Sequence, residues 1–129
     1  MLHKNKFGDL LRFFCYHWLL PIAWAGMIFC FSSIPSLESG FAVSVDWTLR
    51  KIAHAGVYAM LAFLLFRALR DGQRMDTKKA LLWASALALG YAFSDEFHQL
   101  YVPGRHGRLR DVGIDTIGII GSWLLLRRK

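Results

Sequence analysis

Four apolar runs, at about residues 13–33, 52–69, 80–99 and 111–126, occupy most of this chain, and short charged connectors join them. As helices, rising 1.5 Å per residue, runs of this length reach or approach the roughly 30 Å of a bilayer's hydrocarbon core. Within lipid every backbone N–H and C=O must be satisfied inside the structure, which leaves helices or a closed barrel. The composition of these runs is helical, and 55% of the chain is hydrophobic. The expected fold is an all-α membrane protein, an antiparallel bundle of four transmembrane helices, with a single domain over residues 1–129.

The first run follows a basic stretch with Lys4, Lys6 and Arg12. Those flanks resemble a signal peptide's. The run is nevertheless long for such a segment and no A-x-A site follows, so it is expected to remain as a span, kinked at Pro21. Residues 36–51 are expected to form a loop and residues 70–79 a charged connector. His54 opens the second run, and Arg67 at its far end can snorkel. The third run is rich in Ala and Gly, which lets helices approach closely. Cys15 and Cys30 would lie about 22 Å apart along one helix, too far for a mutual disulfide, and lack metal-ligand spacing.

The net charge of +7 comes from basic residues that mostly flank the apolar runs. That pattern suits anchoring beside anionic lipid and not nucleic-acid binding. Four spans place both ends on one side. That side collects eleven of the Lys and Arg residues, the other side five: Arg50, Lys51, Arg105, Arg108 and Arg110. The positive-inside rule then makes the termini cytoplasmic. The same topology gathers Ser32, Ser33, His54, Tyr58, Asp95, Glu96, Gln99, Arg105, Asp111 and Asp115 into one outer layer, although they are scattered in sequence.

Ionisable groups at membrane depth are costly, and by default they raise a hypothesis of function. Asp111 and Asp115 are spaced i,i+4 and share a helix face with Gly118 and Ser122. Asp111 as a helix cap and Asp115 in an arginine pair are the plainer readings. Asp95 and Gln99 are likewise i,i+4. Glu96 points about 100° away from Asp95, so the two acids are not expected to share a partner, and a wet rim position is open for Glu96. Arg105 follows the turn-forming pair Pro103-Gly104 and is expected to fold back. A salt bridge to Asp95 or Asp111 and contact with a headgroup phosphate both remain open for it. His54 has Arg50 and Tyr58 on its face, in a structural or a site role. The carboxylates and histidines have donors for a divalent cation, a generic signal. No serine triad, CxxC pair, HExxH helix, P-loop or GxGxxG element is present.

These residues resemble the VanZ-like family of small integral membrane proteins. The strongest stretch is Asp95-Glu96-Phe97-His98-Gln99, then Val102-Pro103-Gly104-Arg105, then Asp111-Val112 and Asp115-Thr116-Ile117-Gly118 with Gly121. A second stretch is Lys51-Ile52-Ala53-His54-Ala55-Gly56-Val57-Tyr58 with Leu61. Family members often have Asp-Lys where this chain has Arg50-Lys51, and Asn where it has Asp115. The family is named for low-level resistance to teicoplanin, whose target is a lipid-linked cell-wall precursor. The resemblance implies a cell-envelope role near the outer face of the bacterial cytoplasmic membrane. The expected partners are membrane lipids, an undecaprenyl-linked precursor among them. The expected binding set is His54, Tyr58, Asp95, Glu96, Gln99, Arg105, Asp111 and Asp115. The alternative is a membrane-embedded hydrolase or transferase acting on such a lipid, metal-assisted or not, with His54, Asp95 and Glu96 as catalytic candidates.

Overall fold

A computed structural model describes residues 6–35 and 43–128. Lys4, residues 36–42 of the expected loop and Lys129 lie outside the described residues. Among the described residues there are four α-helices and no strand: α1 Lys6–Ser32, α2 Val43–Arg67, α3 Thr77–Gln99 and α4 Leu109–Leu126. The all-helical expectation holds, with different boundaries.

The second helix starts at Val43, inside the expected loop. Asp46 in its first turn suits the positive end of the helix dipole. One turn on, Arg50 pairs with Asp46 at 2.9 Å, and this i,i+4 pair supports a polar extension that hydropathy alone reads as loop. At its other end α2 passes directly into a π-helical turn, Ala68–Gly72, where a connector was expected. The third helix starts early too, because the Asp76 side chain accepts the Lys78 N–H at 3.1 Å and so caps it. Pro21 lies inside α1, which is assigned as one helix from Lys6 to Ser32.

Two apolar clusters fill the interior. One joins Phe66, Leu69, Ala80, Leu81, Ala84 and Leu126, near the π turn. The other, around Tyr58, Leu61, Ala88, Ala92, Val112 and Ile119, leads towards the polar residues. Two polar ties cross the apolar body: Trp24 Nε1 donates to the Val57 carbonyl at 2.9 Å, and the Tyr91 hydroxyl donates to the Ala25 carbonyl at 2.6 Å. Outside, large apolar side chains such as Ile22, Leu82, Ile117 and Leu125 are more than half exposed, one or more on each of α1, α3 and α4. Both α1 and the stretch from Val45 to Gly72 are long and apolar enough to cross a membrane. The other two helices do not meet that standard alone, and α4 carries Arg110, Asp111 and Asp115.

The tightest approach is between α2 and α4. A Cβ on Gly118 would strike the backbone carbonyl of Ala55, so only glycine allows this separation. Gly113 on the same helix has open space where its Cβ would be. Gly118→Ala should therefore push the helices apart and lower stability by about 1–3 kcal/mol, the usual penalty for overpacking. Gly113→Ala should be neutral or stabilise by up to about 1 kcal/mol through helix propensity. Thermal unfolding of the two variants in detergent checks the contrast.

Candidate functional site

The last turn of α1, the first half of α2, the end of α3 and the start of α4 meet at one end of the molecule. Contacts between residues far apart in sequence establish this. Gln99 of α3 donates to Ser32 Oγ of α1 at 2.9 Å. Lys51 of α2 forms an ion pair with Asp111 of α4. His54 Nδ1 of α2 faces Asp115 Oδ1 of α4 at 3.3 Å. All the residues expected in one layer, scattered as they are in sequence, belong to this end.

Asp95, Glu96, Gln99 and Asp115 are all buried, Asp115 completely at 0% exposure. Gln99 bridges two partners, donating to Asp95 Oδ2 at 3.1 Å as well as to Ser32. Glu96 Oε2 accepts the backbone N–H of Arg108, the residue that caps α4, at 2.9 Å. An anionic acceptor at a helix N-terminus satisfies an orphan donor and complements the dipole. Gly107 packs directly on the Glu96 backbone carbonyl, in a space where a Cβ would clash. The segment 100–108 thus closes over the end of α3. Glu96 is 5% exposed and not a wet rim residue. Helix geometry does separate Asp95 and Glu96, and His54 from α2 approaches both. One ligand-type atom from each of His54, Asp95 and Glu96 lies within 4.8 Å of the others. The two acids thus keep separate hydrogen-bond partners, Gln99 and the Arg108 N–H, while His54 of α2 lies near both.

Arg105 does fold back, though not onto Asp95 or Asp111. Its Nε donates to the Ile34 carbonyl and its Nη2 to the Phe31 carbonyl, both at 3.1 Å. Carbonyls at a helix C-terminus have no partner inside the helix, and a cation is favoured there. The expected Asp95–Arg105 pair is replaced by Gln99 on Asp95 and by the end of α1 on Arg105. Partial burial, and then the positive charge of nearby Arg50, lower the Arg105 pKa from its ordinary value.

Asp111 is no simple helix cap: it sits in the first turn of α4 and takes Lys51 as its partner. Asp115 pairs with His54 and not with an arginine. Tyr58 lies fully buried below His54, their ring centroids 6.5 Å apart. Sequence reasoning left Lys51 out of the site, and also His98, whose Nε2 is hydrogen-bonded to Ser33 Oγ at 3.0 Å. The signal for Lys51 was its position, one turn before His54 on the helix end that faces α4.

A cavity of about 280 Å³ lies between α1 and α2. Ile28 and Phe31 form part of its apolar wall. Arg50, His54, Asp95 and Arg105 supply its polar groups. Fold and site together define an all-helical protein with an apolar exterior and a buried ionisable cluster at one end. The chain belongs to the VanZ/LLP1 family, whose profile matches residues 13–128. Neither a curated protein nor a solved structure matches it.

The Lys51–Asp111 pair is mostly shielded from solvent, with side chains 18% and 13% exposed. Removing one partner of a well-buried pair costs about 3–5 kcal/mol, and residual exposure puts this pair at the lower end. Lys51→Met and Asp111→Asn should each destabilise the protein. The double variant should be less destabilised than the sum by about 0.5–3 kcal/mol. Unfolding midpoints of the two single variants and the double variant measure that coupling.

Proposed function

We propose that this VanZ/LLP1 protein crosses the bacterial cytoplasmic membrane four times, as an antiparallel bundle with both termini in the cytoplasm. Its polar end then lies in the outer leaflet and binds the anionic headgroup of an envelope lipid, a phospholipid or an undecaprenyl-linked cell-wall precursor. Family membership and the apolar exterior support the membrane placement. The eleven-to-five division of basic residues supports the orientation.

The observation that carries the ligand class is the cavity between α1 and α2, with apolar walls and with Arg50 and Arg105 among the residues that line it. Acyl chains match the walls. A phosphate or pyrophosphate matches arginines, which bind such groups through planar, charge-assisted hydrogen bonds. Arg105 spends Nε on the Ile34 carbonyl and Nη2 on the Phe31 carbonyl, which fixes its plane and leaves Nη1 for a ligand. Arg50 is held by Asp46. Sequestering or presenting a lipid-linked precursor would connect this site to teicoplanin resistance.

One observation favours a second reading, a hydrolase or transferase acting on the same lipid. His54 borders the cavity and is oriented by Asp115, the arrangement of a general base with its supporting carboxylate.

Two measurements test these statements. For topology, single cysteines are introduced at Gln73 and His106, both exposed, after Cys15 and Cys30 are replaced by alanine. Gly107 is unsuitable, because a side chain there meets the Glu96 carbonyl. The two positions should react with an impermeant reagent from opposite sides of the membrane. Reaction from the same side refutes four spans. For the ligand, native mass spectrometry of the purified protein should find co-purified anionic lipid. Arg50→Gln and Arg105→Gln should each reduce its occupancy by about tenfold, the loss of roughly 1.4 kcal/mol of binding. Unchanged occupancy in both variants refutes the binding site, and turnover of the lipid moves the assignment to the enzyme.

A further inference from the structure

The charges around His54 do not balance. Asp95, Glu96 and Asp115 are three buried carboxylates, and His54 is the imidazole among them. The other nearby cations are engaged elsewhere. Lys51 is taken by Asp111, Arg50 by Asp46, and Arg105 by the carbonyls of α1. Carboxylates withdrawn from water need protons, cationic partners or a metal.

The geometry also shows which atoms are left over. Asp95 uses Oδ2 for Gln99, and Glu96 uses Oε2 for the Arg108 N–H. Their other oxygens, Asp95 Oδ1 and Glu96 Oε1, are buried and have no hydrogen-bond partner. The Tyr58 hydroxyl, also fully buried, has none. Asp95 and Glu96 are therefore each oriented through one oxygen while the other is unsatisfied. That is how ligating carboxylates are held by the groups behind them. Behind His54, Asp115 Oδ1 stands 3.3 Å from Nδ1, although neither atom has a hydrogen-bond partner. Two ligands on one cation, each at about 2.0–2.5 Å, stand no more than about 4–5 Å apart. Ligand-type atoms of His54, Asp95 and Glu96 lie within 4.8 Å of one another, close enough for small side-chain rotations to bring them onto one cation.

We propose that His54, Asp95 and Glu96 hold one divalent transition-metal cation, of the Mn²⁺ or Zn²⁺ class, at the inner end of the cavity between α1 and α2. Mixed imidazole and carboxylate ligands favour this class over the all-oxygen sites of Ca²⁺ and Mg²⁺. A dication removes most of the excess negative charge and gives Asp95 Oδ1 and Glu96 Oε1 a partner. Asp95 and His54 also line the cavity, so the cation faces the space in which a ligand would sit. The site does not depend on which lipid, if any, occupies that space.

The test uses untagged, full-length protein in detergent, stripped with EDTA and titrated with Mn²⁺, following loss of the free-ion EPR signal. One Mn²⁺ per chain is expected. Glu96→Gln and His54→Gln should each weaken binding at least tenfold, and His106→Ala should not. Pulsed EPR of the Mn²⁺-loaded wild type should show one directly coordinated nitrogen, which shifts to the ¹⁵N pattern when histidine is labelled. This readout needs no variant to fold. No uptake, uptake without nitrogen coupling, or variants that bind like wild type would each overturn the proposal.

Discussion

Burying several carboxylates in an apolar body is the constraint on which this structure depends. Asp95, Glu96 and Asp115 are withdrawn from solvent, and none can stay there without partners. Those partners come from every quarter of the fold: Gln99 from α3, the N-cap of α4, and His54 from α2. Satisfying them fixes the relative positions of the helix ends. The polar cluster is thus a positioning device for the bundle as well as a candidate site.

Helix termini are used in the same way. Carbonyls of Phe31 and Ile34, at and just past the end of α1, hold Arg105, and Glu96 accepts the backbone N–H of Arg108, the N-cap residue of α4. Both interactions are made by or across the short segment between α3 and α4. Pro103 and Gly104 reverse that segment, and Gly104 adopts a positive φ of 76°, which glycine tolerates. One short segment therefore caps two helices and covers the acids beneath it. Arg105, which this segment presents, borders the cavity against α1 because the Phe31 and Ile34 carbonyls hold it there.

Below this layer the packing is simple. Alanines along α3 and Gly118 on α4 bring the helices close, and the two hydrogen bonds from Trp24 and Tyr91 tie α1 to its neighbours. Close packing of small residues and such hydrogen bonds hold the helices against one another.

By itself the sequence determined the helical class, the four-element order and the membership of the polar layer. Apolar run length and the i,i+4 spacing of Asp95 with Gln99 and Asp111 with Asp115 are properties of a single helix, and a single helix can be read from its residues. Helix starts at Val43 and Thr77 were less legible, since a local ion pair and a side-chain cap extended each helix into polar sequence. Only the tertiary structure decided who pairs with whom. Arg105 chose helix-end carbonyls over Asp95, Lys51 chose Asp111, and His54 drew Asp95 and Glu96 into one cluster despite their divergence on α3. Those choices depend on the rotation of each helix and the distances between helices. Both are set by where the small residues fall at the contacts, and no spacing within one element encodes them.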